Sequence, residues 1–328
     1  MKNHLSRICW RSGLLAGMIL TFTCFGPSPA AEYPTKPIEL ICPFGAGGPV
    51  SLADRILADK LTEILKQPVV TVHKAGASGA IAAAYVAKAK PDGYTLFDFT
   101  SASNGTVLAL RPDVSYTNSD FDLLGQYGTH FLAMVINADA PWKNVKDVVE
   151  YAKKNPGVLK FGSSGVGTTL QFGMELFKIA AGGLKIDHIP FKSAPEINAA
   201  LLGGHIQLGT FTWGTSKALY DAKKVRVLAV TIPVEELPGV PTFAQEGYPE
   251  INLTAFYGFA APKGLPRDIS KKLQEACATA FQDAKTREML RNIGLTPDYK
   301  NAKEFALFAE DRLQLFKRIA KEANIKLD

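Results

Sequence analysis

Short apolar runs alternate with amphipathic helical stretches along this chain, and small-residue turns join them. That alternation leaves few folds open. The first run, at 38–42, leads into Pro43-Phe44-Gly45-Ala46-Gly47-Gly48. Pro49 then suits a first helical turn, because it has no N–H to leave unpaired. Leu52, Ile56, Leu57, Leu61, Ile64 and Leu65 recur at helical spacing. A second strand is expected at 68–72 and an alanine-rich helix at 80–89. The turn Pro91-Asp92-Gly93 precedes a third strand at 94–99. An order β-α-β-α-β requires right-handed crossovers and a largely parallel sheet.

The pattern restarts after an irregular stretch at 101–128. A strand is expected at 131–136, and Asn144 can cap a helix that Pro156-Gly157 closes. A second small-residue turn, Gly162-Ser163-Ser164-Gly165-Val166-Gly167-Thr168-Thr169, stands before another helix. Strands at 188–191, 206–211 and 225–231 follow, with helices between them. The stretch 233–249 reads as irregular, 253–261 as extended, and two helices at 268–284 and 303–323 finish the chain. Two such units predict an α/β protein of two lobes with a cleft between them.

The first thirty residues have the layout of an export signal. Lys2, Arg7 and Arg11 precede an uncharged apolar stretch at 13–25, and Ser28 and Ala30 sit at small-x-small spacing. Cleavage near Ala30 lowers the formal charge from +6 to +3. With no run of like charges, the mature chain lacks the footprint of a nucleic-acid binder. Export leaves two cysteines, Cys42 and Cys277, which can pair or stay as buried thiols.

The two glycine-rich turns are the candidate site. A helix start exposes unpaired N–H groups and a partial positive charge, and glycine admits a ligand close to the backbone. One turn per lobe could grip a carboxylate and a second polar group. Neither turn fits the dinucleotide fingerprint, and the chain contains no Gly-Lys-Ser or Gly-Lys-Thr of a P-loop. His73, His130, His188 and His205 lie far apart without metal spacing, so no metal or other cofactor is expected. Only His130 stands out, because it precedes the strand expected to cross between lobes. Carboxylates beside basic residues, as in Asp54-Arg55, read as solvated helix faces. No serine has an evident base in sequence.

The opening Tyr33-Pro34-Thr35-Lys36-Pro37-Ile38, the two glycine-rich turns and several later motifs together resemble the Bug/TctC family, the periplasmic solute-binding receptors of tripartite tricarboxylate transporters. The motifs begin with that opening segment and Pro43-Phe44-Gly45-Ala46-Gly47-Gly48. They continue through Lys90-Pro91-Asp92-Gly93-Tyr94, the turn at 162–168, Pro190-Phe191-Lys192 and Leu201-Leu202-Gly203-Gly204. Leu237-Pro238-Gly239-Val240-Pro241-Thr242 and Gly258-Phe259-Ala260-Ala261-Pro262 complete the set.

The resemblance implies a Venus-flytrap binding protein closing on a small carboxylate, with no chemistry performed. It implies one lobe of 31–132 plus 253–328, with 133–252 inserted as the other. It also implies a monomer that delivers ligand to membrane permease subunits. The ligand residues it points to are Phe44, Gly45, Ala46, Gly47, Gly48 and Ser51 at the first turn. Ser163, Ser164, Gly165, Val166, Gly167 and Thr168 form the second, with Ser101, His130 and Phe191 nearby. Pro49-Val50-Ser51 stands where the family usually has a Ser-Thr-Asp-like stretch. Thr210-Phe211-Thr212-Trp213 stands where many members show Phe-Asp-Asn. Lost polar groups and the gain of Phe211 and Trp213 predict an apolar or aromatic carboxylate, unless both rings pack in the core. The competing readings are an exported hydrolase using Ser163 or Ser164, and a sensor whose bound form a signalling partner reads.

Overall fold

A computed structural model of the protein describes residues 33–191 and 193–326. The expected export signal and its cleavage site lie outside the described residues. The first unit runs β1 (Ile38–Cys42), α1 (Pro49–Leu65), β2 (Val69–His73), α2 (Ala80–Ala87) and β3 (Thr95–Thr100). Strand β1 lies between β2 and β3, parallel to both. The expected order is therefore present from the first strand.

Beyond β3 the chain departs from the expected irregular stretch. Residues Ala102–Thr106 form a π-helical turn that continues into α3 (Val107–Leu110). Such turns widen a helix and recur at functional sites. This one has no room for a side chain at Gly105, where a Cβ would lie 2.7 Å from the Phe316 ring. Next comes β4 (Phe121–Asn137), which is 17 residues long. Its first half pairs antiparallel with β9 (Thr254–Pro262) and β10 (Thr296–Asn301). Its second half pairs antiparallel with β7 (Leu208–Thr212) and β8 (Val225–Val230). The change of partner falls between Phe131, opposite Thr254, and Leu132, opposite Thr212. Bulges near Gly125 and Gly128 interrupt the first half, and these glycines hid its length from a reading by periodicity.

The second unit contains α4 (Val145–Lys154), β5 (Lys160–Ser163), α5 (Thr169–Ala180), β6 (Asp187–Pro190) and α6 (Ala194–Leu202). Between β7 and β8 it includes α7 (Trp213–Asp221). Asn144 caps α4 as expected, accepting from the Asp147 N–H at 2.9 Å. Strand β5 is parallel to both β6 and β7. Parallel pairing is thus confined to the β-α-β units. The long strands β4 and β9 add the antiparallel pairings.

The C-terminal segment holds α8 (Arg267–Gln282), α9 (Ala284–Asn292), β10 and α10 (Ala302–Glu322), where two helices alone were expected. Asn301 and Glu304 form a reciprocal capping box that starts α10 directly after β10. Helix α10 packs on β4, α3 and α5. Every residue of β9 is buried, as is usual for a strand covered on both faces. An aromatic cluster of Phe97, Phe99, Phe121, Phe256 and Phe305 fills the core beside it. Cys42 and Cys277 are buried free thiols, which resolves the open question of their pairing.

Candidate ligand cleft

A cavity of about 620 Å³ opens where both small-residue turns meet the π-helical turn. Phe44, Gly48, Pro49 and Val50 line it from the start of α1. Ser164, Gly167, Thr168, Thr169 and Leu170 line it from the start of α5. Ser101, Ala102 and Thr106 contribute from the turn after β3, and Ala255 and Tyr257 from β9. Ser78, Leu132, Ala194 and Ile197 complete the wall. No Asp, Glu, Lys, Arg or His occurs among the described lining residues. An anion here would meet helix N-termini and hydroxyls rather than side-chain cations.

The local geometry explains which donors are free. Gly48 caps α1 in extended conformation, and Pro49 has no N–H, so the next amides, Val50 and Ser51, lead the helix. Thr168 caps α5 and accepts from the Gln171 N–H, leaving the Thr169 and Leu170 amides at the helix start. Gly167 N–H, by contrast, already bonds Gln171 Oε1 at 2.7 Å. Its expected part as a ligand donor is therefore taken by a side chain from its own helix, although the residue does line the cavity. Ser101 Oγ and Thr169 Oγ1 approach to 3.4 Å, so the two units touch across the cleft.

Of the expected residues, Phe44, Gly48, Ser101, Ser164, Gly167 and Thr168 line the cavity. The others do not. Gly45, Ala46 and Gly47 form an exposed loop beyond it, while Ser51 is buried. Gly165 and Val166 shape the second turn without lining the cavity, and Phe191 packs beneath that turn near Gly162. Trp213 belongs to the core: it is buried and stacks on Phe131 at 6.2 Å. Its large apolar surface is satisfied there, so it supplies no aromatic wall for a ligand. Phe211 contributes its backbone to β7, and its side chain lies outside the described residues.

The polar groups behind the cleft also correct the sequence reading. Asp54 is wholly buried, although its sequence neighbourhood resembled a solvated face. It sits one and a half turns into α1, beside Cys42 of β1 and Asp98 of β3. Burial pushes Asp54 up to about 7 and lifts Asp98 well above the usual carboxylate range. The Tyr127 hydroxyl donates to Asp98 at 3.1 Å. Two facing carboxyls in a dry site cannot both ionise, so the pair retains protons. While Asp54 keeps its proton, up to about pH 7, the pair puts no negative charge behind the N-terminus of α1. The missed signal was the spacing of Asp54 with Leu57, Ala58 and Leu61, which places it on the buried stripe.

Three of the dispersed histidines converge on this region. His130 lies behind the cavity wall, 3.0 Å from the Tyr257 hydroxyl, and burial pulls it down to about 4. His73 Nδ1 lies 2.9 Å from the Phe44 carbonyl. His188 Nε2 lies 2.7 Å from Ser163 Oγ, so a serine does have a histidine beside it. That pair is not placed as an accessible nucleophile and base: Ser163 is fully buried, and the Gly165 carbonyl lies 3.0 Å from its hydroxyl.

Mixed α/β units joined by a shared strand, with a cleft between two helix N-termini, define a periplasmic binding protein of two-lobe fold. The chain matches the tripartite tricarboxylate transporter family receptor, TctC, over residues 53–325 and belongs to that family. This is a family of solute-binding receptors, not of enzymes. A protein from the gbd 5′ region of Cupriavidus necator is 32% identical over 90% of each chain. A TctC solute-binding protein from Polaromonas has a TM-score of 0.78 and 29% identity, covering 88% of this chain and 99% of its own. A protein of R. palustris solved with adipate, Rpa4515, has a TM-score of 0.76 and 29% identity, covering 90% and 99%. Among the described residues no helix is long and apolar enough to cross a membrane.

Proposed function

We propose that this receptor is exported to the periplasm, with cleavage near Ala30, and captures a small carboxylate with an apolar or aromatic body. It acts as a monomer and delivers that ligand to the membrane subunits of a tripartite tricarboxylate-type transporter. The lobes are 31–132 plus 253–328 and 133–252, hinged where β4 changes partners. The observation that carries the reading is a cleft lined by two helix N-termini, hydroxyls and apolar side chains, with no charged residue among the described lining residues. Helix starts suit a carboxylate. Phe44, Pro49, Val50, Leu132, Leu170 and Ile197 suit an apolar body, and a ligand ammonium would find no carboxylate among the described lining residues. The cavity's volume falls within the range of about 300–1,000 Å³ usual for small-molecule sites. The relative holding adipate supports a carboxylate by similarity.

Calorimetric titration with adipate, benzoate, terephthalate, citrate and aspartate tests the reading. Binding of at least one of the first three, tighter than citrate and aspartate, is expected. Tight binding of citrate or aspartate alone refutes the apolar body.

A further inference from the structure

We propose that His188 is a positioning residue for the second small-residue turn, acting through Ser163 on the Gly165 carbonyl. One set of hydrogen-bond directions satisfies every contact at once. Ser163 Oγ lies 2.7 Å from His188 Nε2 and 3.0 Å from Gly165 O. A carbonyl only accepts, and a hydroxyl has one proton to give. Ser163 therefore donates to Gly165 and accepts from His188, which carries its proton on Nε2. Ser163 is fully buried, so water has no access to take over either bond.

The histidine is itself held in place. Its ring stacks on Phe161 with centroids 4.7 Å apart and planes 25° from parallel. Strand β6 lies in register beside β5, with His188 opposite Phe161. Thr168 Oγ1 donates to the same Gly165 carbonyl at 2.9 Å. Two hydroxyls thus draw this oxygen inward, at a glycine whose φ of 123° ordinary residues avoid. In a planar trans peptide the next N–H points the opposite way. Val166 N–H is therefore turned away from the clamp, and Val166 is exposed. Val166 does not line the cavity, so the clamp acts on a ligand by fixing the shape of the turn that carries Ser164, Thr168 and Thr169, which do.

The first turn has a similar brace. His73 ends β2, the parallel neighbour of β1, and its Nδ1 meets the Phe44 carbonyl at 2.9 Å. That contact is exposed to water, whereas the His188 contact is part-buried, so the second brace is the stronger one.

The inference rests on the carboxylate reading for its effect on affinity, but not for its geometry, and the experiment separates the two. Long-range proton–nitrogen NMR of the unliganded protein should show the His188 proton on Nε2; a proton on Nδ1 alone overturns the clamp. With adipate and benzoate as probes, His188→Phe keeps the stacked ring and removes the donor. It should weaken binding about tenfold, the scale of one buried hydrogen bond. His188→Gln, which restores an N–H donor, should bind within about twofold of the parent. Ser163→Ala should match His188→Phe, and the double variant should lose no more than either, because both break one chain. A folded His188→Phe that binds like the parent overturns the proposal. If His188→Phe fails to fold, Ser163→Ala decides in the same way. If the parent binds neither acid, the carboxylate reading fails and the tautomer spectrum alone decides the clamp.

Discussion

Replacing Asp54 by asparagine tests the buried acid pair with an almost unchanged shape. In the native protein Asp54 keeps its proton until about pH 7, whereas the unfolded chain loses it near 3.8. Between those values the native state binds more protons than the unfolded state, so stability falls as pH rises. Below pH 4 the penalty is absent, and above pH 7 it is complete. Three units at about 1.4 kcal/mol each give a cost of about 4 kcal/mol at neutral pH. Asparagine carries no such cost. It also relieves Asp98, whose rise comes from burial first and then from the nearby Asp54 charge. His130 and His188, both held neutral down to about 4, lose stability in the opposite direction as pH falls from 6.5. Comparing variant and parent at each pH cancels their part. Calorimetric melting from pH 4 to pH 8 is the assay. Asp54→Asn should gain on the parent across that range by about 10 °C, taking a few degrees per kcal/mol for a chain of this size. A gap that stays within about 2 °C, or closes towards pH 8, refutes a protonated pair.

The same pair bears on the ligand. Asp54 lies about 8 Å along α1 from its N-terminus, so ionisation there repels a bound anion. Affinity for adipate or benzoate should weaken as pH rises from 6 to 8, and Asp54→Asn should flatten the profile; an equal slope in both proteins contradicts the coupling. Cys42 and Cys277 are buried and their thiols are pushed up, so a thiol reagent should label neither in the native protein and both in urea. Rapid native labelling, or mass spectrometry showing a disulfide, contradicts the structure. Thr169→Trp should prop the cleft at its contact with Ser101, and small-angle scattering should then show no compaction on adding a ligand that compacts the parent. Gly105→Ala should cost about 1–3 kcal/mol in denaturant titration, because its Cβ meets the Phe316 ring. An unchanged midpoint would show that the π-helical turn relaxes freely.

Local regularities were legible in the chain itself. The alternation of apolar runs and helical spacing located β1, α1, β2 and α5, and the glycine-rich turns marked the helix starts that line the cleft. These follow from short-range rules: a strand repeats every two residues, a helix about every 3.6, and a helix start needs a cap. The length of β4 was not legible, because its bulged glycines erase the alternation and its partners come from distant segments. Nor was the fate of individual polar side chains. Asp54 looked solvated beside Arg55 until α1 turned it onto β1 and β3, and Trp213 looked like a ligand wall until it stacked on Phe131. His73, His130 and His188 are dispersed in sequence, yet strand register brings each to a wall or turn of one cleft. Sequence by itself determined the regular strand-and-helix units and the starts of their helices, since those depend on neighbours along the chain. Tertiary structure alone decided which carboxyls are dry, which amides are free and which rings meet ligand, since those depend on neighbours in space.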